Sequence, residues 1–146
     1  MNTAAAESLR RDARWFYVWM AGVCVLIAFG GFIPTYWAKL ATGTFRGAPI
    51  LHIHGFLFFA WTLLFLAQTS LVASGRTMNH RDWGLGGIAL ATAMAISVVL
   101  AVISSIKTAS GMGMGDEARR FAIVPLTGLL FFAGFFKLAI LTIRRS

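Results

Sequence analysis

Four long apolar runs constrain this chain more than any other feature it has. The first, WFYVWMAGVCVLIAFGGFIP at 15–34, contains no charged residue, and the others cover 51–73, 83–106 and 121–143. A helix needs about 20 apolar residues to cross the hydrocarbon core of a bilayer, and each run meets that length. Inside lipid a backbone has no water to bond, so such runs fold as helices. The sequence therefore predicts an all-α integral membrane protein, a four-helix up-down-up-down bundle forming one transmembrane domain over 1–146. The first run is too long for the apolar core of a signal peptide and lacks a small-residue cleavage site, which points to a retained helix.

Composition agrees. The chain is 58% hydrophobic and 12% charged, against about half and about a quarter in soluble domains. Its net charge of +8 does not indicate nucleic acid, because the basic residues stand at the ends of the apolar runs. There they meet lipid headgroups and set topology. Seven of them (Arg10, Arg11, Arg14, Arg76, Arg81, Arg144, Arg145) fall on the side of the N-terminus and five (Lys39, Arg46, Lys107, Arg119, Arg120) on the other. The excess predicts cytoplasmic N- and C-termini. Lys137, inside the fourth run, is expected to snorkel to the surface, or else to neutralise an anionic ligand. The lone Cys24 is expected to be a small buried hydrophobe.

Without a hydrophobic force between helices in lipid, close approach depends on small residues. The third run offers two rows, Gly87–Ala91–Ala95 and Ala93–Ser97–Ala101–Ser105. The second and fourth are bulky, with Phe56, Phe58, Phe59 and Phe65 on one and Phe131, Phe132, Phe135 and Phe136 on the other. This predicts a central third helix, with the alternative that its small rows meet a partner subunit or a second copy.

The polar residues are few. His54, Trp61 and Gln68 recur at intervals of seven and so share one helical face, with Gly55, Thr62 and Thr69 beside it. That face lines a cofactor or quinone pocket, or its polar groups serve as interhelical hydrogen-bonding glue. His52 and His54 stand about 200° apart on a helix, so one turns inward and the other meets headgroups, unless the backbone is extended. Imidazole ligates haem and metals. His80, in NHRDWG, is separated from His54 by a whole span of about 30 Å, so one chain cannot place both on one iron. His80, Arg81 and Asp82 are expected to cap the third helix, with Asp82 accepting backbone N–H bonds. In GMGMGDEARR, Met112 and Met114 form with His52 and His54 a soft ligand set suited to Cu(I), or the segment is a glycine hinge. No metalloprotease, hydrolase or nucleotide-binding motif occurs, and no acid–base–nucleophile constellation suggests an enzyme.

A histidine–glycine opening of the second span (His54, Gly55), a late glutamine (Gln68) and an HR-x-x-G opening of the third (His80, Arg81, Gly84) loosely resemble small uncharacterised four-span bacterial inner-membrane proteins. Some of these are similar to haem-handling or oxidase-assembly proteins. The resemblance covers roughly residues 51–90 and implies a place in the inner membrane near respiratory cofactors, haem or copper. Two functions follow as expectations. One is an accessory or assembly factor of a respiratory or other redox complex that binds haem or copper, through His54, Trp61, Gln68 and His80 or through His52, His54, Met112 and Met114. The other is a cofactor-free structural or interaction subunit. A transporter would need a polar path that these spans scarcely supply.

Overall fold

The computed structural model describes residues 3–143, and among them every regular element is helical. The order is α1 (Thr3–Gly31), a π-helical turn (Ile33–Trp37), α2 (Ala38–Ala41), α3 (Pro49–Ala73), α4 (Thr77–Gly111), α5 (Gly115–Phe121) and α6 (Ile123–Ile143). Among the described residues four stretches are long and apolar enough to cross a membrane: Asp12–Ala41, Pro49–Ala73, Thr77–Gly111 and Gly115–Thr142. By length and composition this is a multi-pass membrane protein. Of the residues that entered the topology count, Arg144 and Arg145 lie outside the described residues, as do the side chains of Arg10 and Arg11.

The first span passes through Pro34 instead of ending there. Proline lacks an N–H and its ring crowds the preceding turn. The chain answers by widening: Trp37 N–H donates to Phe32 O at 3.1 Å, five residues back, and Ala38 N–H donates to Ile33 O. A π turn of this kind spares the helix a break. It carries Tyr36 and Trp37 inward, where sequence alone placed them past the helix end. Pro125 acts differently. It stands in the first turn of α6 and has no N–H to give Phe121 O, while Ala122, between α5 and α6, keeps its bonds to Ala118 O at 3.0 Å and from Leu126 N–H at 3.2 Å.

Three helix ends share one device. Gly43, Gly75 and Gly113 have φ of 66°, 74° and 77°, a region that favours glycine. At Gly75 the Arg76 N–H reaches back to Leu71 O at 2.9 Å and the Gly75 N–H to Val72 O at 3.1 Å. This pairing satisfies the orphan carbonyls of α3 and turns the chain within three residues into α4. Because α4 already begins at Thr77, Asp82 lies in its second turn and is no N-cap, contrary to expectation. Cys24 likewise departs from expectation: it is exposed, on the side of α1 away from buried Ala21 and half-buried Val18, Val25 and Ala28. An apolar helix in lipid need not turn its small hydrophobes inward.

The chain forms two compact units, Met1–Arg46 with Gly55–Ala91, and Gly47–His54 with Thr92–Ser146. The first is built on rings. Phe59, 7% exposed, lies 4.4 Å from Phe29, 4.9 Å from Trp37, 5.8 Å from Phe32 and 5.5 Å from Phe58 between ring centroids. Tyr36 packs edge-on against Trp37 and Phe45, and its ring lies beside Gly55, where a Cβ would stand 3.8 Å from Cζ. A side chain at Gly87 would meet Leu64 Cδ2 at 3.1 Å, so α3 and α4 approach closely there. In the second unit, Phe131 with Phe135 and Phe132 with Phe136 stack along α6 itself.

Burial singles out the third span. Of its most apolar stretch 28% is buried, against 6%, 11% and none for the first, second and fourth. The buried stripe is Gly87, Ala91, Met94, Ser97 and Ala101. It takes members from both expected rows and leaves Ser105 outside, because a 3.6-residue turn drifts across a strict four-residue spacing.

Candidate functional site

Two histidines hold the polar chemistry of the spans, one in each unit. Trp61, Gln68 and His80 fall in the first unit; His52, His54, Met112 and Met114 fall in the second. α3 is unbroken from Pro49, so both His52 and His54 are helical and the extended alternative does not apply. Each is half-buried, as are Trp61 and Gln68.

In the first unit Gln68 reaches from α3 to α4. With its amide turned to satisfy both helices, its oxygen accepts from Gly84 N–H at 3.0 Å, while its nitrogen donates to His80 O at 3.2 Å and to His80 Nδ1. The amide thus bridges the two ends of one helical turn, His80 to Gly84. That accounts for the spacing of His80 and Gly84 in HR-x-x-G: four residues close one turn. A Cβ at Gly84 would lie 3.9 Å from the amide atom that faces it, in ordinary contact. Since Nδ1 of His80 accepts, its neutral ring carries the proton on Nε2. The lone pair that a metal would need is already engaged.

In the second unit His54 Nδ1 lies 3.0 Å from Ser97 Oγ. Ser97 is 4% exposed and donates its hydroxyl proton to Met94 O at 2.8 Å. A hydroxyl has one proton, so its oxygen accepts from His54, whose proton then sits on Nδ1. Nε2 keeps a free lone pair. A histidine ligand is usually held this way, with the far nitrogen donating to a fixed acceptor while the near one faces the metal. The sequence showed Ser97 only as a small residue for packing; its register with His54 appears only once α3 and α4 are placed.

Other expectations resolve locally. Thr62 donates to Phe58 O at 2.8 Å, and Thr69 to Leu66 O at 2.9 Å. They bond their own helix and do not serve as interhelical glue, a role that falls to Gln68. Met112 and Met114 flank Gly113 in the α4–α5 turn, 61% and 49% exposed. Gly115 is fixed there by crowding, since a Cβ would meet Ser110 Oγ at 2.5 Å and its Cα at 3.2 Å. Lys137 is exposed on α6. Among the described residues, no three His, Cys, Asp or Glu side chains cluster as a metal site, so any metal here would need other donors beside His54. No protein-family model, curated protein or solved structure matches this chain.

Proposed function

We propose that this chain is a small multi-pass accessory or assembly factor of a respiratory or other redox complex in a bacterial inner membrane, with His54 as a ligand for haem or copper. The observation that supports it is the His54–Ser97–Met94 relay, which leaves Nε2 of a half-buried imidazole with a free lone pair. An imidazole so oriented suits haem iron as an axial ligand, or copper beside thioethers such as Met112 and Met114. The His80 ring, engaged by Gln68, has a positioning role. Both termini are cytoplasmic, as the arginine excess and an even number of crossings suggest; a C-terminal reporter active only in the cytoplasm then gives signal, and silence reverses the assignment.

A second reading, a cofactor-free subunit that docks on a larger complex, draws on the fourth span, whose most apolar stretch has no buried residue. One experiment separates the two. The full chain is purified in mild detergent, its visible spectrum recorded and its metals counted. A Soret band or stoichiometric copper that is lost in His54→Ala and kept in His80→Ala supports the ligand reading. Colourless, metal-free protein that co-purifies with a membrane complex replaces it with the second.

A further inference from the structure

The turn from α3 to α4 holds a pocket of about 360 Å³ that neither histidine uses. Its lining is apolar at Ala67, Leu71 and Trp83 and polar at Ser70, Ser74, Arg76 and Asn79. The serine protons are already committed, Ser70 to Leu66 O and Ser74 to Ser70 O, each at 2.7 Å. Beside the indole N–H of Trp83, the available donors are the Arg76 guanidinium and the Asn79 amide. Among the described residues neither side chain has a hydrogen-bond or ion-pair partner.

Arg76 is also in an uncomfortable place. Its carbonyl accepts from His80 N–H at 3.1 Å, which makes it the N-cap of α4. Arginine is a poor N-cap, and its charge opposes the helix dipole. A phosphate at this point would offset both, pairing with the guanidinium while facing free N–H groups. Depth adds a second requirement. Arg76 lies between the end of one span at Ala73 and the start of the next at Thr77, hence at headgroup level. Ala67 is six residues inside the span, about 9 Å deeper at 1.5 Å per residue. A soluble anion would meet the polar groups and leave the apolar lining bare; an amphiphile fills both.

We propose that this pocket binds one anionic phospholipid, its phosphate held by Arg76 and Asn79 and an acyl chain lying along Ala67, Leu71 and Trp83. Basic pockets between transmembrane helices suit such headgroups. The full chain, reconstituted with phosphatidylglycerol and phosphatidylcholine in equal parts and released into mild detergent, is read by native mass spectrometry. One phosphatidylglycerol should be retained per chain, about fivefold or more over phosphatidylcholine, the ratio expected from one cation near the surface. Arg76→Gln should abolish the preference, while Arg81→Gln, outside the pocket, should keep it. Ala67→Phe alters no charge and should lower retention of the lipid severalfold by filling the acyl seat. Equal retention of the two lipids, an equal loss in Arg81→Gln, or unchanged retention in Ala67→Phe each overturns the proposal. So does displacement of the lipid by millimolar inorganic phosphate, which would mark a site for the free anion.

Discussion

Two histidines in this molecule face opposite demands. His80 sits in the unit built on rings and is held by a glutamine amide that touches its ring nitrogen, its carbonyl and the N–H one turn further on. His54 sits in the other unit and is held at one atom by one hydroxyl. The first arrangement uses every acceptor the histidine has and leaves only a donor. The second fixes the ring and leaves a lone pair. In lipid, where neither water nor the hydrophobic effect sorts these roles, the partner alone decides whether an imidazole holds helices together or offers itself to a ligand. Packing follows the same division. Phe59 meets four other rings, whereas Phe131 and Phe135 are 64% and 68% exposed.

The largest expected effect tests that packing difference. Phe59→Ala removes a buried ring from the centre of its cluster. In water such a truncation costs about 3–5 kcal/mol; within lipid the transfer term largely cancels and the lost dispersion contacts remain, leaving about 1–3 kcal/mol. Phe135→Ala exchanges ring contacts for acyl-chain contacts and should cost under about 0.5 kcal/mol. Reversible unfolding in mixed micelles measures both. Equal losses would show that α6 packs as tightly as the ring cluster, and the contrast would fail.

Much of this was legible in the residues. Hydropathy alone places four helices, because a run of charge-free residues has only one stable form in lipid. It could not see that Pro34 would be absorbed by a π turn, since the outcome depends on Phe32 O accepting from Trp37 N–H, five residues ahead, as well as from Tyr36 N–H. Nor could it start α4 correctly: the span signal begins at Trp83, while the helix is set by the Gly75 turn and begins at Thr77. The face formed by His54, Trp61 and Gln68 is real on one helix, yet its two ends take different partners. Heptad spacing reports direction around a helix and says nothing of what stands opposite. The signal that would have paired Gln68 with His80 was available: HR-x-x-G opens the third span with a polar histidine, and a glutamine late in the preceding span is at the depth to meet it.

The smaller effects set the two histidines directly against each other. Gln68→Leu strips His80 Nδ1 of its donor and removes the bridge between α3 and α4, which should cost about 1 kcal/mol, the scale of a hydrogen bond between transmembrane helices. Ser97→Ala should cost about 0.5 kcal/mol, since it removes one bond of that kind and leaves Met94 O with its ordinary helical partner. Its main consequence is chemical. With no acceptor on Nδ1, the His54 proton is free to move to Nε2, and the fixed lone pair is lost. Nitrogen chemical shifts of labelled histidine report this directly. The native protein should show His54 protonated on Nδ1 and His80 on Nε2. Ser97→Ala should shift His54 toward Nε2 protonation without moving His80, and Gln68→Leu should move His80 alone. If His54 is already protonated on Nε2 in the native chain, Ser97 is the donor in that pair. The two histidines are then alike, and His54 has no better claim than His80 to a metal.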